Sequence, residues 1–174
     1  AGLVAAALAA AAALGVDPSA LDTAADARTP SVALRIASRK LGRQLMRAAR
    51  ATWPSEELEA LAREFPKGAH QPVMLGLTAR AAGLGPDDAA YCSAYESVSG
   101  AAGATVRLLS LDPFDATGVL ARLAPEMDVV VGAAVDAARG VGVAGVGSLP
   151  AASAPLLEIS AEVHAAWPVR LFAS

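Results

Sequence analysis

The sequence predicts an all-α fold, and three observations carry that expectation. Hydrophobic residues make up 55% of the 174 positions, aromatics only 4%, and alanine dominates. Abundant Ala and Leu favour helix, and few β-branched or aromatic side chains disfavours sheet. Glycine and proline fall in clusters between Ala-rich blocks, as helix punctuation would. At this length one domain over residues 1–174 is the default, with room for a substantial core. The expectation is a single-domain bundle of about seven to nine helices with a short extended C-terminal tail and no fixed-period repeat.

Each element has a local reason. Leu3 to Leu14 reads as an apolar helix ended by Gly15, where a left-handed cap costs little. Asp17-Pro18 starts a short helix, with Asp as N-cap and Pro in the first turn. Thr29-Pro30-Ser31 breaks it, and a long helix runs from about Ser31 to Thr52, stopping at Trp53-Pro54. Ser55 caps the next, with Glu56 and Glu57 near its positive end; it stops near Phe65-Pro66. Pro72 to Ala82 is predicted helical, closed by Gly83 and Gly85. A second long helix runs from Pro86 to about Ser110. Asp112-Pro113 opens another, which Pro125 divides into two pieces ending near Arg139. Gly140 to Gly147 reads as a flexible loop, too Gly-rich for stable helix or strand. Ser153-Ala154-Pro155 starts the last helix, which reaches Ala166 or Trp167.

Charge is uneven. The net charge is −3, yet Arg28, Arg35, Arg39, Lys40, Arg43, Arg47 and Arg50 fall in one segment with no acid between Asp26 and Glu56. On the helix from Ser31 to Thr52, Leu34, Ala37, Leu41, Leu45 and Ala48 share one arc and are read as the core stripe. Arg35, Arg39, Arg43 and Arg47 repeat every four residues on the other side. Like charges at that spacing repel by a few tenths of a kcal/mol per pair, roughly, which a nearby acidic surface would relieve. Val32, Ile36 and Met46 lie among them, which suits a protein partner. A solvated basic face is the alternative reading. Phosphate-backbone binding is a third reading, though the helix carries no stacking aromatic before Trp53, which disfavours single-strand binding.

The helix from Pro86 to Ser110 is rich in small residues, including Ser97, Gly100, Gly103 and Ala104. Mid-helix glycines cost about 1 kcal/mol each, so close approach of another helix is expected to offset them. Arg107 lies on the face of Glu96 but eleven residues on, too far to pair with it. No phosphate loop, nucleophile elbow or His-Glu-x-x-His motif is present, so no catalytic residue is assigned. Cys92 is read as a small packed residue, and His70 and His164 as isolated rather than metal ligands. One cysteine precludes an internal disulfide and fits a reducing compartment. The uncharged run Leu3–Val16 is shorter than the roughly 18–20 residues a membrane span needs. A cytoplasmic protein without membrane or nucleic-acid partners is expected.

Five ordered segments resemble the urease accessory protein UreF family. They are Asp26-Ala27-Arg28-Thr29-Pro30; Ala37-Ser38-Arg39-Lys40-Leu41-Gly42-Arg43-Gln44-Leu45; Gln71-Pro72-Val73-Met74-Leu75-Gly76; Gly103-Ala104-Thr105-Val106-Arg107-Leu108; and Val169-Arg170-Leu171-Phe172-Ala173-Ser174. Two departures stand out. His164 is followed by Ala165 where the family often has His-Glu, and the family's N-terminal Gly/Ser-rich motif is absent, so the start is expected to be truncated. The resemblance implies a non-catalytic, commonly dimeric scaffold that binds a UreD-type subunit, recruits a UreG-type GTPase and engages apo-urease. It implies no directly bound cofactor, nickel being handled by the assembled complex. By motif match Arg170, Leu171, Phe172 and Ser174 carry over as partner contacts, with folding back onto the chain's own core as the alternative. Arg107 carries over as a motif residue of unassigned role, with Gly100 and Gly103 beside it on the helix as structural residues. The rival readings are the ligand-binding and dimerisation domain of an all-α transcription regulator, and an all-α metal enzyme for which ligands are sparse.

Overall fold

The computed structural model describes residues 2–168. Among them the chain forms nine α-helices and no strand. They are α1 (Gly2–Ala13), α2 (Pro18–Ala27), α3 (Val32–Thr52), α4 (Glu56–Glu64), α5 (Gln71–Ala81), α6 (Pro86–Leu109), α7 (Pro113–Arg122), α8 (Ala124–Ala144) and α9 (Pro155–Ala165). A short 3-10 turn, Val146–Ser148, follows α8.

The local signals act as read. Asp17 accepts from Ala20 N at 2.8 Å, Ser31 from Leu34 N at 3.1 Å and Ser55 from Leu58 N at 3.2 Å. Each satisfies one orphan donor of a helix start. Gly15 takes φ +87 and lets Val16 N–H reach back to Ala11 O at 3.1 Å, closing α1.

α1 is the axis of the molecule. Val4 and Ala6 to Ala13 are buried, and α5, α6 and α8 pack around it. A helix apolar on every side belongs in such a centre. Alanine keeps these helices close, and Gly76 of α5 brings backbone to backbone, since a Cβ there would run into Ala9 O. Leu21, Leu58, Val73 and Met74 fill the surrounding space with essentially no exposure, each worth about 1.5–3 kcal/mol.

Three expectations are corrected. The Gly140–Gly147 segment is not a loop throughout, because α8 continues through Gly140 and Gly142 to Ala144. Burial of Val135, Ala138 and Val141 along one face holds that last turn, outweighing glycine's helix cost. The helix stops at Gly145, whose φ is +76.

The second correction concerns α3. Its buried residues are Gly42, Met46 and Ala49, whereas Leu41 is 44% exposed and Ala48 is exposed. Leu41 and Ala48 therefore line an open groove, Leu45 is half-buried against the core as expected, Arg35 and Arg39 reach toward α2, and Gly42 and Met46 face α5. Third, among the described residues no helix packs on Gly100 or Gly103: Gly100 has nothing within 4 Å of a would-be Cβ, and Gly103 has only Arg107 Nη1 at 3.6 Å. α6 is buried only near its start, at Ala89, Ala90, Ser93 and Ala94.

Candidate interaction surface

The arginine ladder of α3 divides into an inward and an outward half. Arg39 donates to Asp22 at 2.7 Å and to Asp26 at 2.6 Å, tying α3 to α2. Arg35 donates to the carbonyls of Thr29 at 2.7 Å and Pro30 at 3.1 Å and stands 3.9 Å from Asp26. The acidic surface that relieves this half of the ladder belongs to the chain itself. The available sequence signal was the matched spacing, Asp22 and Asp26 being four apart as Arg35 and Arg39 are. Arg39 is thus no free surface charge, and reversing it would strike the fold.

His70, read as isolated, is the hub of this network. It is 1% exposed. Its Nε2 lies 2.9 Å from Asp26, its Nδ1 3.0 Å from Ser38 Oγ, and its backbone N–H donates to Asp22 at 2.7 Å. Asp26 can only accept as a carboxylate, so the network assigns the Nε2 proton and leaves Nδ1 to accept from Ser38 in the neutral ring. Burial pushes Asp26 upward, but the hydrogen bonds from His70 and Arg39, with the Arg39 charge, outweigh it and hold the carboxyl below its ordinary value. Ser38, His70 and Asp26 connect like a nucleophile, base and carboxylate. Ser38 Oγ is occupied, however, by the Gln71 N–H at 3.0 Å and so caps α5. The set reads as structural glue.

The Asp26–Pro30 segment gains further roles. Arg28 donates to Pro150 O at 2.9 Å and Leu149 O at 2.9 Å, and to Val146 O and Gly147 O at 3.2 Å, clamping the turn after α8. Glu162 of α9 caps α3 from outside, accepting from Ser31 Oγ at 2.6 Å and Ala33 N at 2.8 Å. Those bonds, Ser31's first, hold its carboxyl low. α9 lies along α3 with no buried residue of its own.

Arg43 and Arg47 form the outward half. Both are exposed, and neither meets a carboxylate within ion-pair distance among the described residues. Arg50 pairs with Glu59 through two bonds of 2.8 and 2.6 Å. Arg107 is exposed near the far end of α6, and Glu96 instead engages Gln71. Cys92 is exposed rather than packed; partial burial, with Glu96 and Asp88 nearby, raises its thiol and opposes thiolate chemistry. His164 stands edge-on to Trp167 at the end of α9, with ring centroids 5.4 Å apart. Arg170, Leu171, Phe172 and Ser174 lie outside the described residues. No group of three or more His, Cys, Asp or Glu suited to a metal occurs among the described residues. No described helix is long and apolar enough to cross a membrane.

Comparison with known proteins decides the family. The UreF family model matches residues 1–124. The chain belongs to the UreF family. Its UreF relatives include the urease accessory protein UreF of Mycobacterium sp. (strain JLS), 40% identical over 174 residues, 99% of this chain and 75% of that protein. The protein of the same name from Mycolicibacterium vanbaalenii is 40% identical over 179 residues, covering 99% and 76%. That of Mycobacterium marinum is 39% identical over 174 residues, covering 99% and 75%. No solved structure matches the chain. UreF membership sets aside the transcription-regulator reading.

Proposed function

We propose that this chain is a non-catalytic scaffold in urease maturation, acting where nickel is inserted into apo-urease. The observation that carries this reading is 40% identity along 99% of the chain to a urease accessory protein. In this reading it works in the cytoplasm as one domain over residues 1–174, binds a UreD-type subunit and helps recruit a UreG-type GTPase. Nickel is cargo of the assembled complex, and the chain holds no cofactor itself. The GTP chemistry belongs to the GTPase, in keeping with a sequence that offers no phosphate loop.

Two surfaces suit such a role. One is the outward arginine pair Arg43 and Arg47, positive on a chain of net charge −3. The other is the ending Arg170, Leu171, Phe172 and Ser174, whose apolar pair gains about 1.5–3 kcal/mol per side chain on burial at an interface. A homodimer completes the proposal, with a second copy covering exposed apolar helix surface.

Capture by separately expressed urease accessory subunits tests the reading. The intact chain is expected to be retained by the UreD-type subunit, and deletion of residues 169–174 to weaken retention at least about tenfold with helical content unchanged. Retention unaffected by the deletion, with thermal stability lowered instead, assigns the tail to the chain's own core. No retention of the intact, folded chain overturns the scaffold role.

A further inference from the structure

The loop between α4 and α5 closes a small cavity against α3. Two glycines make this possible. Gly68, at φ +87, lies so near Arg39 O and the Arg43 side chain that a Cβ would collide, and Gly42 admits Ala69 O onto the helix surface. The cavity behind this loop measures about 200 Å³. Met46, Met74 and Phe65 form its apolar inner side, with Met74 fully buried and Met46 6% exposed; Arg43, Arg47 and Arg50 stand at its mouth.

Size and charge each narrow the occupant. Sites for drug-sized ligands run to about 300–1,000 Å³, so this one holds a single side chain rather than a cofactor. Arg50 is engaged by Glu59, but Arg43 and Arg47 repel one another at i,i+4 and are exposed without a carboxylate partner among the described residues. Lys67, exposed on the closing loop, adds to the same field. A guanidinium fork matches a carboxylate bidentately. Phosphate would satisfy the arginines but leave the apolar interior unused, and α3 carries no aromatic on which a base could stack.

We infer that this cavity receives one large apolar side chain, Leu, Met or Phe, from an acidic segment of a protein partner whose carboxylates engage Arg43 and Arg47. The inference rests on the partner-docking role proposed above and names the partner's chemistry. A buried anchor ringed by charge is the usual form of a strong interface contact.

The test uses the full chain and two labelled peptides, Glu-Asp-Glu-Leu-Glu-Asp-Glu and its counterpart with Gly in place of Leu, followed by fluorescence anisotropy. The Leu peptide is expected to bind at least about tenfold more tightly than the Gly peptide. Arg43→Glu with Arg47→Glu should weaken both at least about tenfold and flatten the salt dependence while helical content is retained. Ala62→Leu, at the cavity wall, should abolish the preference for Leu and spare the charge-dependent part. Equal affinity for the two peptides, no binding of either, or stronger binding of a duplex oligonucleotide overturns the inference. Capture of the accessory subunits by the charge-reversed chain at full strength sinks the inference and leaves the scaffold reading standing. Peptide binding as expected, with no accessory subunit captured by the intact chain, sinks the scaffold reading and leaves the cavity's role intact.

Discussion

Asp26 accepts from Arg39 at 2.6 Å and from His70 at 2.9 Å, and Glu162 accepts from Ser31 and Ala33 at the start of α3. Both carboxyls are held below their ordinary values. A group whose folded pKa is depressed binds its proton less readily in the native state. Its stabilisation is therefore present above the unfolded value near pH ~4 and is lost as pH falls through the folded value. Asp26→Asn and Glu162→Gln should each lower the urea midpoint at pH 7 and shrink the further loss of stability between about pH 4 and 2. Urea titrations at several pH values check this, and a mutant whose acid profile parallels the parent's contradicts the assignment. Arg39 and Arg43 give a second contrast. Arg39 is half-buried between two carboxylates, so Arg39→Ala should cost about 2–3 kcal/mol, below a fully buried pair because solvent reaches part of the site. Arg43→Ala should stay within about 0.5 kcal/mol. Equal losses in chemical denaturation would erase the distinction between the two halves of the ladder.

At the scale of helices, glycine has opposite meanings at different positions. Gly76 and Gly42 sit where a Cβ would strike the Ala9 and Ala69 carbonyls, so Gly76→Ala should cost about 1–3 kcal/mol. Gly100 and Gly142 lie inside α6 and α8 with nothing within 4 Å, so Gly100→Ala and Gly142→Ala should each stabilise by about 0.5–1 kcal/mol. Calorimetry should show the last two raising Tm by about 2–4 °C per kcal/mol gained. A fall in Tm for Gly142→Ala would mean that α8 ends earlier than Ala144. The same contrast explains what could be read from sequence. Caps are local, so Asp17, Ser31 and Ser55 announced their helices within one turn. The end of α8 was hidden because its last turn depends on where Val141 packs, which no local propensity reports. On α3 both arcs carry apolar residues, and alanine is equally at home inside or out, so periodicity chose Leu41 over Met46. His70 looked isolated because its partners lie 32, 44 and 48 residues away along the chain.

Across the whole molecule, burial is concentrated around α1 and thins toward two regions. Leu108, Leu109, Leu111 and Phe114, at the α6–α7 corner, are 53%, 66%, 48% and 84% exposed, and α7 has no buried residue. Val129 on α8 is 74% exposed, and α9 presents Leu156 and Ile159 at 83% and 61%. Monomeric proteins rarely leave large contiguous apolar patches in water, and an isologous contact covers the same patch on two subunits at once. The proposed homodimer gives the α6–α7 corner a cover. Multi-angle light scattering over a wide concentration range should then give twice the chain mass. Leu109→Ser with Phe114→Ser should shift the equilibrium toward monomer by at least about tenfold, each side chain contributing about 1.5–3 kcal/mol per subunit, while far-UV circular dichroism stays unchanged. Because both residues are largely exposed in the single chain, their loss leaves the core around α1 intact, so a monomeric result cannot be ascribed to unfolding. A strict monomer in the parent chain refutes the dimer, and a dimer that tolerates both serines moves its interface away from the α6–α7 corner, with the exposed face of α9 next to be tested by Leu156→Ser and Ile159→Ser.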